Sequence, residues 1–86
     1  MNEYLIICRS ITHAQRTARV LQRAGISHQV FRVPAGLGVG GCGYAVRLRE
    51  KDLRWTLQLL RREDVPLRGL LVRTENGYRE VSYDLS

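Results

Sequence analysis

A chain of 86 residues with a formal net charge of +6 accommodates one domain and one modest core. It buries about two-thirds of the surface its unfolded form exposes and leaves no room for a separate substrate domain. No apolar run approaches the ~18 residues that span a bilayer, and the opening Met1-Asn2-Glu3-Tyr4 lacks the basic start of an export signal, so a cytoplasmic protein with no membrane partner is expected.

Taken in order, Tyr4 to Cys8 is a short apolar run of β-formers and reads as a central strand buried on both faces. From Thr12 to Ala24 the period changes: Ala14, Thr17, Ala18, Leu21 and Ala24 share one helical face, while Arg16, Arg19 and Arg23 point elsewhere. Thr12 followed by Gln15 forms a capping-box signature, Ser10 offers a second cap, and Gly25 supplies the left-handed stop. His28 to Val33 fits a strand with one wet face, closed by Pro34. A glycine loop occupies 35–43, and Tyr44 to Leu48 alternates as a third strand.

A second helix is expected from about Glu50 to Glu63, with Leu53, Thr56, Leu57 and Leu60 as its core stripe and Pro66 just beyond its end. Trp55 and Leu59 fall on the opposite side, where they either meet a second copy in a homodimer or cover the chain's own C-terminal arm. Gly69 to Arg73 reads as a fourth strand. Asn76-Gly77 favours a two-residue hairpin turn that returns Tyr78 to Tyr83 as a fifth.

The order β-α-β-β-α-β with an extra C-terminal strand predicts an α+β, ferredoxin-like sandwich: an antiparallel sheet of strand order 4-1-3-2 with both helices on one face, because both crossovers must be right-handed. In that order the first strand ends where the third begins. Cys8, the start of the first helix at Arg9 to His13, and Cys42 are therefore expected at one end of the sheet.

Cys42 lies in Gly40-Gly41-Cys42-Gly43. Flanking glycines remove the Cβ atoms that would shield its sulfur and allow the backbone to turn N–H groups toward an anion. A helix N-terminus beside it favours thiolate over thiol. Lowering a thiol pKa from ~8.5 to ~6.5 takes about 2.7 kcal/mol, more than the roughly 2 kcal/mol one helix dipole supplies. Further donors are required, and Arg9, Ser10, Thr12, His13 and the amides of Gly40, Gly41 and Gly43 are the candidates. His13 is also a possible base for the thiol. Cys8, inside a buried strand, reads as core filler rather than a resolving thiol.

Two other readings fail on context. Gly36 to Gly41 matches G-x-G-x-x-G literally, but a strand rather than a helix follows it, so no dinucleotide site is expected. The basic charge invites nucleic acid, yet thirteen of the fourteen basic residues are Arg scattered over every segment, and Phe31 is the only Phe. Without aromatic interleaving to stack bases, nucleic acid is disfavoured. No Cys-x-x-Cys or Cys/His cluster is present, so neither a metal nor a cofactor is expected.

The strand ending at Ser10, His13-Ala14 opening a helix, Ala24-Gly25-Ile26, a strand closed by Pro34, and Cys42-Gly43 leading into a strand resemble the small bacterial selenium/sulfur carrier-like family, from about Tyr4 to Leu71. That resemblance implies a carrier rather than a turnover enzyme, whose cysteine, here Cys42, takes a persulfide-type adduct from a sulfur or selenium donor protein and passes it to an acceptor. The chain departs from the family pattern at Gly40 and Gly41, where small polar residues are usual, near Arg19, where an acid is common, and in its longer C-terminal hairpin. The alternative is a non-catalytic module that binds a small anion or a protein partner at the same end.

Overall fold

Alternation of apolar residues at period two against period 3.6 divides the chain cleanly, and the computed structural model, which describes residues 2–33 and 43–81, follows that division. Its elements are β1 (Glu3–Cys8), α1 (Ile11–Arg23), β2 (Gln29–Val33), β3 (Gly43–Arg49), α2 (Glu50–Arg62), β4 (Gly69–Thr74) and β5 (Gly77–Glu80). The five strands run β2-β3-β1-β4-β5, each antiparallel to its neighbours. Read from the other edge, this is the expected 4-1-3-2 order with β5 added beyond β4, so the α+β ferredoxin-like plan holds and is extended by one strand.

β1 lies at the centre and is apolar on both faces. Ile6 and Cys8 join Val46, Leu48 and Leu70 beneath Ala14, Val20 and Leu21 of α1 and Leu60 of α2. Leu5 and Ile7 point the other way and form a second buried cluster with Val33, Ala45 and Leu71. Burying these side chains contributes about 1.5–3 kcal/mol each, which makes the end-to-end register of β1 expensive to shift.

Four local expectations are corrected. The N-cap of α1 is Ser10, not Thr12: Ser10 has extended backbone and its Oγ accepts from the His13 N–H, while Thr12 sits exposed in the first turn. β2 has no uniformly wet face, because Phe31 and Val33 pack into the second cluster while Val30 packs into the first. Leu59 is half-buried against the main core rather than opposite it; at about 100° per residue it lies only roughly 60° from Thr56, within a wide apolar stripe. Trp55 alone of that pair is exposed, with the Arg62 guanidinium 5.7 Å from its ring centre.

The hairpin is also shifted. Thr74 pairs with Gly77, so the loop residues are Glu75 and Asn76, and Gly77 opens β5 at φ +132°. Only glycine adopts that backbone without strain, so the positive-φ requirement fixes Gly77 at the strand start. β5 is described as Gly77–Glu80, with the Val81 N–H continuing the pairing to the Leu70 carbonyl; residues 82 and 83 of the expected strand lie outside the described residues. No helix among the described residues is long and apolar enough to cross a membrane.

Candidate functional site

The chain leaves β1 at Cys8, passes the exposed Arg9 and enters α1 through Ser10. The Ser10 Oγ accepts from the His13 N–H at 3.3 Å and lies 3.3 Å from His13 Nδ1, which fixes the imidazole beside its own helix cap. One turn on, the Thr17 hydroxyl donates to the His13 carbonyl at 2.9 Å. Cys8 Sγ lies 3.8 Å from Thr17 Oγ1 and donates to the Ile6 carbonyl at 3.9 Å.

Cys8 is fully buried, and burial pushes its thiol above the ordinary value of 9.0, with the Thr17 contact opposing that in part. A thiol held neutral in this way fills the core and is a poor nucleophile. His13 meets no carboxylate among the described hydrogen bonds, so nothing orients it as a base in the manner of a triad.

α1 carries no acid in its first turn. The partial positive charge of its free N–H groups is therefore not neutralised locally. Beside it, Arg9, His13, Pro66, Leu67 and Arg68 line a cleft of about 130 Å³. The Arg68 N–H donates to the Ile7 carbonyl at 2.7 Å, which fastens the segment after α2 to the end of β1. Sequence reasoning missed Arg68. Its signal was available in the strand order, because antiparallel neighbours β1 and β4 bring the end of one against the start of the other.

β3 starts on the other side of β1. Tyr44 pairs with Cys8, and a Cβ added to Gly43 would stand 3.3 Å from the Cys8 carbonyl oxygen, a tight approach that the backbone would have to relieve by a small shift. Arg9, Ser10, Thr12, His13 and Gly43 are thus brought to one end of the sheet. Gly40, Gly41 and Cys42 lie outside the described residues. A wider concavity of about 670 Å³ at the start of β1, lined in part by Asn2, Glu3, Arg73 and Arg79, contains neither thiol nor imidazole. Arg73 there is paired with Glu3 at 3.2 Å.

A protein-family model described as "Putative Se/S carrier protein-like" matches residues 3–72. The chain belongs to that family. The match runs from β1 into β4 and takes in both cysteines, whereas β5 lies beyond it. No curated protein matches the chain.

Proposed function

We propose that the protein carries a sulfur or selenium atom on Cys42 and moves it between proteins. Membership of the carrier family over residues 3–72 is the observation that carries this reading. Geometry supports it: Gly43, the residue after Cys42, abuts the end of β1, from which α1 opens with an acid-free first turn between Arg9 and Arg68.

The transfer needs no outside oxidant. The Cys42 thiolate attacks the terminal sulfur of a donor protein's persulfide; the donor's S–S bond breaks, its electron pair leaves on the donor as a thiolate, and a new S–S bond joins the terminal atom to Cys42. An acceptor thiolate then repeats the exchange on the carrier. A persulfide is more acidic than its parent thiol, so backbone amides and cations at the α1 end stabilise the charged atom while it waits. Selenium in the terminal position follows the same steps.

Intact-mass analysis after incubation with a low-molecular-weight persulfide tests this. The expected result is a gain of one chalcogen atom that reductant removes and that Cys42→Ser abolishes. No gain in the natural sequence, or an equal gain in Cys42→Ser, overturns the reading, since the remaining thiol is the buried Cys8. The cleft lined by Arg9, His13 and Arg68 favours one second reading, a module that holds a small anion or partner with Cys42 incidental. In that case phosphate binding survives Cys42→Ser and no adduct forms.

A further inference from the structure

Basic residues are spread evenly along the chain, but acids are not. Residues 1–49 hold seven Arg and a single acid, Glu3, a net charge of +6; residues 50–86 hold six Arg and one Lys against seven acids, a net charge of zero. The whole net charge thus resides on the half that contains β1, α1, β2 and β3. On α1, Arg16 and Arg19 are exposed and make no ion pair among the described residues, whereas Arg23 is tied to Glu63 at 3.0 Å. Arg9 precedes the helix and Arg68 joins it across the cleft at its start. Ile11, 41% exposed in the first turn, adds an aliphatic group to the same helix.

We infer that the exposed face of α1 is a docking surface for an acidic protein, with Arg9, Arg16, Arg19 and Arg68 supplying the charge and Ile11 an apolar contact. Unpaired cations on one helix raise the encounter rate with an acidic partner and set its orientation, at little cost in folding stability. An aliphatic anchor suits a protein surface; phosphodiester backbones offer it nothing, and the large exposed aromatics, Trp55 and Tyr78, sit on α2 and β5 instead. That the partner is the donor or acceptor serving Cys42 rests on the carrier reading; the charged surface itself does not.

The test uses the full chain carrying Cys42→Ser, so that adduct chemistry plays no part. A poly-L-glutamate peptide and a single-stranded oligonucleotide of equal charge are titrated separately at low salt, with amide shifts followed by NMR. Binding of the peptide is expected to shift amides of α1 and of residues 66–68. Arg16→Glu with Arg19→Glu should weaken it about tenfold, while Arg54→Glu with Arg79→Glu, the same charge change on the neutral half, should weaken it less than about threefold. Equal losses from the two pairs, absence of peptide binding, or tighter binding of the oligonucleotide overturns the proposal. Adduct formation on the natural chain is read separately, so either idea can fail alone.

Discussion

The two β-α-β halves of the molecule solve the same packing problem with nearly the same parts. Each helix has 13 residues, buries a threonine at its seventh position, Thr17 or Thr56, and plants a leucine at its eleventh, Leu21 or Leu60, in the main core. Each closes identically: Ile26 N–H to Leu21 carbonyl and Val65 N–H to Leu60 carbonyl, both 2.9 Å, as in a Schellman end. They part at their N-termini. α1 has a serine cap and no acid in its first turn; α2 has Arg49 at its cap with no side-chain bond, but Glu50 and Asp52 in its first turn. The same dipole is therefore left open in one half and neutralised in the other.

Matched substitutions break or sharpen that equivalence. Leu21→Ala and Leu60→Ala, both at fully buried sites, should each cost about 2–5 kcal/mol and agree within about 1 kcal/mol. Urea titrations that differ by more than this would show that one half dominates the core. The threonines should diverge. Thr17 is bonded on both sides, so Thr17→Val should cost about 1–2 kcal/mol. Thr56 Oγ1 is buried with no partner, so Thr56→Val should leave the melting temperature unchanged or raise it.

Among the described residues only the first half buries a thiol, Cys8, and this sets an alkaline limit. Cys8 is raised above 9.0 in the folded protein, so its contribution is fully present below that pH and is lost as the pH rises through the folded value. The stability advantage of the natural sequence over Cys8→Ala should hold at neutral pH and shrink above about pH 9, by at most about 1.4 kcal/mol per pH unit. A constant gap in denaturant titrations up to pH 10.5 would refute it. The helix ends give the smallest effects. Gly25 has φ +72° and Asp64 φ +56°, so Gly25→Ala should cost about 1 kcal/mol and Asp64→Gly should add a few tenths to about 1 kcal/mol. Thermal melts in which both substitutions destabilise would mean that Asp64 contributes contacts of its own.

How far the sequence could be read depended on the range of each signal. Helix periods, Gly25 as a stop and the segments that become strands were visible because they rest on spacing within a few residues, and the 4-1-3-2 order followed from the handedness of the two crossovers. The Ser10 cap was visible only as an alternative to Thr12, since both residue types satisfy the rule and the path from Cys8 decides between them. Leu59 was misjudged because a helical wheel does not reveal how wide a stripe the sheet will cover. Arg68 was missed because its place beside Arg9 and His13 depends on the pairing of β1 with β4, which no local pattern around residue 68 announces.

By itself, the sequence determined which segments become strands and helices, that the first helix begins without an acid, and that Cys42 sits among glycines, because propensity, capping and composition are local properties. Only the tertiary structure decided that Cys8 is locked under Thr17, that Arg68 joins Arg9 and His13 at one cleft, and that Gly43 rests against the Cys8 carbonyl. Those facts depend on strand register and helix docking, which are set by burying side chains far apart in sequence against one another.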